Sequence, residues 1–111
     1  MLLSELVETS EAVGATRSRL AKVDLLASAL ARLAPDERAA GVAFLSGELR
    51  QRQIGVGWAT LRELPPPAPA PTLTVGEVDG AFARIGALAG AGSQRARKAA
   101  VAELFARATA A

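Results

Sequence analysis

The chain has 111 residues, 13 basic and 11 acidic, for a net charge of +2, and half of it is apolar. It contains no cysteine, histidine or tyrosine, which excludes thiol nucleophiles, disulfides, imidazole bases and Cys/His metal sites. Its only lysines are Lys22 and Lys98 and its acids show no paired-carboxylate spacing, so the composition argues against a self-contained enzyme and for one small domain, or a piece of a larger one.

With 26 alanines and 15 leucines against 8 valines and 2 isoleucines, the sequence favours helix over sheet and predicts an all-α fold with few bulky core residues. A first helix is expected over about residues 2 to 13, with Leu2, Leu3, Leu6, Val7 and Val13 near one face and Gly14 as its stop. The second begins at Thr16 or Ser18. Along it Leu20, Val23, Ala27, Leu30 and Leu33 step by three and four residues, and Pro35 sets its boundary. A third runs from Pro35 to Leu45, opened by proline and by Asp36 and Glu37, whose charges complement the positive dipole end, and closed at Ser46-Gly47.

Glu48 to Gly57 reads as an Arg/Gln-rich loop leading into a brief helix at Trp58 to Leu64. Pro65 to Pro71 must be extended, a semi-rigid spacer; residues 65–73 then connect a first helical lobe at 1–64 to the start of a second at 74–111. Docking on an aromatic-lined module is the alternative role for such a segment. Thr74-Val75-Gly76-Glu77 is a capping-box sequence, followed at helical steps by Val75, Val78, Phe82, Ile85 and Ala89 and ended by Gly90-Ala91-Gly92. A last helix from Ser93 is expected to bury Val101, Leu104, Phe105 and Ala108, and it finishes without a capping signal, as a truncated segment would. No signal peptide opens the chain, and the longest uncharged run, Leu64 to Gly76, is 13 residues broken by five prolines. A cytoplasmic protein with no membrane partner is the expectation.

Residues 14–26 and 92–104 match at six of 13 positions, including Arg17/Arg95 and Arg19/Arg97, at an offset of 78. Two related helical hairpins would produce this, the second lacking a counterpart of Pro35 to Leu64. Cations in a first helical turn oppose the helix dipole, yet they recur here: Arg17, Arg19 and Lys22 in one case, Arg95, Arg97 and Lys98 in the other. Open backbone N–H groups, a positive dipole end and arginines together suit phosphate, and two such sites suit a polyanion. A solvated basic face, with arginine supplied by a GC-rich genome, is the alternative. The Gly47 to Gln53 stretch adds Arg50, Gln51, Arg52 and Gln53, side chains that reach phosphates and minor-groove acceptors, or else forms a polar connector. Trp58 reads as a core anchor, with base stacking as its alternative.

Ser18-Arg19-Leu20-Ala21-Lys22, the stretch Phe44 to Trp58, Leu64-Pro65-Pro66-Pro67 and Leu88 to Ser93 with Leu104-Phe105 resemble the amino-terminal DNA-binding domain of ATP-dependent DNA ligases of the actinobacterial form. The resemblance spans nearly the whole chain. It implies a two-lobed, all-helical, non-catalytic domain that grips duplex DNA, nicked duplex in particular, through the minor groove and the phosphate backbone. Carried over by position, it assigns DNA contact to Thr16, Ser18, Arg19 and Lys22, to Gly47, Arg50, Gln51, Arg52 and Gln53, and to Ser93, Gln94, Arg97 and Lys98. In the family a second Gly-Glu-Leu-Arg-type loop follows, then an adenylation domain with a Lys-x-Asp-Gly motif and an oligonucleotide-binding fold. These parts are missing here, so the resemblance implies an incomplete second lobe, no cofactor in this segment, ATP and Mg²⁺ in the parent enzyme, and a place beside the bacterial nucleoid in replication or repair. A helical protein-protein module with no DNA binding is the alternative.

Overall fold

Side-chain caps, prolines and glycines divide the chain into six α-helices in the computed structural model, which describes residues 1–110 and has no strand among them. Helix α1 (Leu3–Ala15) buries Leu6 and Thr9, and the Thr9 hydroxyl is satisfied by donating to the Glu5 carbonyl at 3.1 Å. It runs through Gly14, which does not act as the expected stop. The chain leaves helical space at Thr16, whose Oγ1 accepts from the Ser18 N–H at 3.2 Å. Ser18 in turn caps α2 (Arg19–Arg32) by accepting from the Ala21 N–H at 3.2 Å, so a serine and a threonine make the whole α1–α2 turn.

The buried face of α2 matches the expected one only at its carboxyl-terminal end. Leu20 and Val23 are 78% and 55% exposed and Ala27 is exposed, whereas Ala29 and, just beyond the helix, Leu33 are buried. Leu30 and Leu33, both in the expected set, do face the core; packing on α1 and α3 adds Ala29 beside them and turns the set's first three positions away. Pro35–Glu37 form one 3-10 turn that opens α3 (Arg38–Leu45). Gly47, at φ +78°, closes α3. Its N–H donates to the Phe44 carbonyl at 3.0 Å and the Glu48 N–H to the Ala43 carbonyl at 2.8 Å, satisfying two orphan carbonyls through a left-handed residue that favours glycine.

Helix α4 (Trp58–Leu61) is a single turn, and the proline-rich segment after it has no regular structure; its Ala68 N–H donates to the Ala108 carbonyl at 2.7 Å. Helix α5 (Val75–Ala87) starts at a complete capping box: Thr74 Oγ1 accepts from the Glu77 N–H at 3.1 Å, and Glu77 Oε1 from the Thr74 N–H at 3.0 Å. Helix α6 (Ser93–Ala106) follows the left-handed Gly92.

Helix α1 packs on α2, α5 on α6, and α3 bridges to α5. Leu6, Leu33, Ala40 and Val75 form one buried cluster, with Met1, Leu30, Phe44 and Leu45 partly buried around it. Phe44 meets Phe82 edge-on at 6.0 Å. Val78, Ala81, Ile85 and Val101 are buried as the α5–α6 pair closes. Leu2 and Thr74 form an antiparallel bridge, with Leu3 N–H donating to the Leu73 carbonyl (2.8 Å) and Val75 N–H to the Met1 carbonyl (2.9 Å). The starts of α1 and α5 are therefore tied by backbone. Helices α1 and α5 both have 13 residues and α2 and α6 both have 14. The first residues of α2 and α6, Arg19 and Ser93, are 74 positions apart rather than 78, so Arg17 precedes its helix while Arg95 lies inside one. No helix among the described residues is long and apolar enough to cross a membrane.

Candidate nucleic-acid interface

The three predicted segments are built differently. At the start of α2, Ser18 and Thr16 spend their oxygens on the cap, while Arg17 and Arg19 are exposed and Lys22 half-buried; none has a carboxylate within ion-pair distance among the described residues. This turn presents side-chain cations next to N–H groups of a positive dipole end.

The Glu48–Gly57 loop lies instead on α5 and α6. Arg50 Nη1 donates to Asp79 Oδ2 at 2.7 Å, and Gln51 Nε2 donates to Asp79 Oδ1 at 3.1 Å and to its carbonyl at 3.3 Å. Further along, Ile54 sits over Gly86, where a Cβ would come within 3.4 Å of Ile54 Cγ2. Gly55, at φ +73°, lies beneath the Arg97 guanidinium; the backbone angle favours glycine, and a Cβ there would meet Cζ and Nε at 3.0 Å, so the guanidinium would have to shift by a few tenths of an ångström. Arg97 Nη2 donates to the Leu88 carbonyl at 2.9 Å. This seat leaves Arg52 and Gln53 exposed, Arg52 at the apex of a turn closed by a 2.7 Å bond from the Gln53 N–H to the Gln51 carbonyl.

On α6, Gln94 and Arg95 are exposed and Ser93 is half-buried. Lys98 pairs with Glu63, whose carboxyl is held below its usual value by that hydrogen bond, and this joins α6 to the turn after α4. Ala59, Thr60 and Glu63 on one side and Gln94, Arg95 and Lys98 on the other line an open groove. The loop and the start of α6 thus share one surface, and no hydrogen bond or ion pair among the described residues joins the start of α2 to it.

Sequence comparison sets a context for these segments. The chain is 57% identical over 111 residues to DNA ligase B of Mycobacterium tuberculosis, 56% identical over 115 residues to a probable DNA ligase of Nocardioides sp., and 55% over 109 residues to one of Beutenbergia cavernae, with 98 to 99% of this chain covered. The chain is a DNA-ligase segment. It spans 21 to 23% of the length of these curated relatives. No family model and no solved structure matches it.

Within this ligase segment, the partners that seat the loop are not visible in its sequence. Asp79 and the Leu88 carbonyl, which receive Gln51 and Arg97, carry no local sequence signal, and Gln51 and Arg97 themselves turn inward. The signal that could have found the seat is glycine inside α5, where Gly86 costs helix stability and signals close approach by another segment. Trp58 is the plain correction: it is 80% exposed at the first position of α4 and anchors no core. One turn of helix gives its ring no facing element to pack against.

Proposed function

We propose that this chain is the amino-terminal, non-catalytic duplex-DNA-gripping region of an ATP-dependent DNA ligase, built as two pseudo-repeated helical lobes at 1–64 and 74–111 around the 65–73 connector, the second lobe incomplete. The observation that carries this is the pinned loop: with its Gly55 seated beneath Arg97 of α6, it leaves Arg52 and Gln53 exposed, their side chains without a hydrogen-bond or ion-pair partner among the described residues, in a chain related to DNA ligases. In this reading the starts of α2 and α6 hold phosphates through Thr16, Ser18, Arg19 and Lys22 and through Ser93, Gln94 and Lys98. The Gly47–Gln53 loop enters the minor groove, with Arg50, Arg52 and Gln53 as donors and Gln51 and Arg97 supporting it from behind.

Nick sealing in replication or repair, with ATP and Mg²⁺, falls to the adenylation and oligonucleotide-binding domains of the parent enzyme, which acts in the cytoplasm on the nucleoid. The residues present here do not fit those groups: Lys22 is followed by Val23-Asp24-Leu25 and Lys98 by Ala99-Ala100-Val101, so neither forms Lys-x-Asp-Gly. No cluster of three metal-ligating side chains exists among the described residues. Titration of nicked duplex at several salt concentrations tests the reading. Binding should weaken steeply, with a log-log slope of about −0.9 for each phosphate contact; flat affinity, or none, would overturn it. The exposed Leu20 and Val23 favour a second reading, a helical module that docks a protein partner. Salt-insensitive partner binding without DNA binding would decide for that one.

A further inference from the structure

We propose that Asp79 is a positioning residue for nucleic-acid binding: through Arg50 and Gln51 it fixes the Glu48–Gly57 loop with Arg52 and Gln53 facing outward. This rests on the functional reading above and adds to it an acid that a charge argument would count as harmful in a phosphate-binding face.

Both oxygens of the Asp79 carboxylate are engaged, Oδ2 by Arg50 and Oδ1 by Gln51, and its side chain is 16% exposed, so it is a bridge inside the surface rather than a solvated charge. The Asp79 carbonyl takes a further bond from Gln51. What these contacts support is costly. Arg52 is the one residue other than glycine with positive φ among the described residues, at +62°, a conformation that disfavours an L side chain by about 1 kcal/mol or more. Such an apex persists only when its flanks are held. Gln51 is the upstream flank and is held by Asp79; Ile54 and Gly55 are the downstream flank and are held by Gly86 and Arg97.

Without Asp79 the downstream anchors remain but the upstream half of the loop is released. A released loop must be ordered again when a duplex binds, at a cost of about 1 kcal/mol or more per residue fixed, and that cost appears as lost affinity. A carboxylate that merely faced DNA would act with the opposite sign, since removing it would remove repulsion.

The test compares the 111-residue chain with its Asp79→Ala and Asp79→Asn variants, using a nicked DNA duplex as probe. Arg50 and Arg52 are themselves trypsin sites, so cleavage after them reads loop release without any DNA. We expect both variants to keep the helical circular dichroism of the parent, to be cut after Arg50 or Arg52 about tenfold faster, and to bind the duplex about fivefold more weakly, the smaller factor reflecting the half-exposed Arg50 partner. If the parent chain binds and the variants bind equally or more tightly, Asp79 is not a positioning residue and the functional reading stands. Unchanged cleavage also overturns the proposal. If the parent itself does not bind while the variants are cut faster, the functional reading fails and the loop anchor alone survives. Should Asp79→Ala unfold, Asp79→Asn, which keeps the shape and one acceptor, carries the same comparison.

Discussion

The Met1 ammonium lies 3.0 Å from Glu37 Oε1, and both groups are closed off from solvent. The same carboxylate accepts from the Gly76 N–H at 2.8 Å and the Ala34 N–H at 3.3 Å, so one side chain ties the first residue, the turn before α3 and the first turn of α5. Burial pushes the Glu37 carboxyl up, but the hydrogen bonds from Gly76, the Met1 ammonium and Ala34 outweigh it and hold the carboxyl below its usual value.

A depressed folded-state value gives a defined pH response. The stabilisation is complete above the unfolded value, about 4.5, and is lost as pH falls through the lower folded value. Thermal melts should therefore hold steady from pH 7 to about 5 and decline below that. Glu63 and Glu77 are also held low, by Lys98 and by Arg107, but these exposed pairs are screened by salt much more than the Met1–Glu37 pair. Glu37→Gln should cost about 3 kcal/mol at neutral pH and flatten the acid decline, in high salt as well. A Glu37→Gln variant with an unchanged melting curve would show that the pair contributes nothing.

The capping box at Thr74 predicts a smaller and more local effect. Thr74→Ala should lower stability by about 1 kcal/mol, and Thr74→Ser should be nearly silent, because a hydroxyl is all that the Glu77 N–H needs. Since Val75 N–H bonds to the Met1 carbonyl, hydrogen exchange in Thr74→Ala should also rise at the start of α1. Exchange confined to α5 would show that the backbone bridge does not couple the two helix starts.

Helix ends were legible because they depend on local chemistry. Ser18, the Thr74–Glu77 box and Gly47 each specify a hydrogen bond to a residue three to five positions away, and the structure makes each of them. Helix faces were less legible. In α2 the set Leu20, Val23, Ala27, Leu30 and Leu33 holds at Leu30 and Leu33 but not at its start, and only contacts with α1 and α3 show that the buried face turns through Ala29 and away from Leu20 and Val23. The same reason hid the direction of Arg97 and Gln51. An arginine in a first helical turn suggests phosphate from sequence alone, whereas Leu88, Gly55 and Asp79, which receive these side chains, are 9 to 42 residues away or lie in another element. The six-of-13 match at offset 78 differs from the spacing of the helix starts, 72 positions from α1 to α5 and 74 from α2 to α6, because alanine-rich helices align at several offsets.

Gly41 in α3 predicts against propensity. Alanine is better than glycine within a helix by about 1 kcal/mol. Here, however, a Cβ would come within van der Waals radii of the Leu33 side chain, which is 2% exposed and enclosed by Leu6, Ala40 and Val75. Leu33 has nowhere to move, so Gly41→Ala should destabilise by about 1 kcal/mol net, overpacking exceeding the propensity gain. Gly14→Ala, with nothing near its Cβ, should instead stabilise. Chemical denaturation of the two variants checks both signs; stabilisation by Gly41→Ala would show that the core yields at Leu33.

Arg19 and Arg52 separate binding from folding in a way that Arg97 cannot. Arg97 is half-buried, bonded to Leu88 and packed on Gly55, so an Arg97→Glu variant would report loop collapse as much as lost contact. Arg19 is the first residue of α2, exposed, where its charge opposes the helix dipole. Arg19→Ala should raise stability by a few tenths of a kcal/mol, about the size of that repulsion, and yet weaken binding of nicked duplex. Arg52→Gly should likewise relieve the positive φ while removing an exposed cation of the loop. If each arginine meets one phosphate, each variant should reduce the magnitude of the salt slope by about 0.9, and the two reductions should add, since among the described residues the α2 turn and the loop share no hydrogen bond or ion pair. Variants that gain stability and keep the parent slope would remove both arginines from the interface.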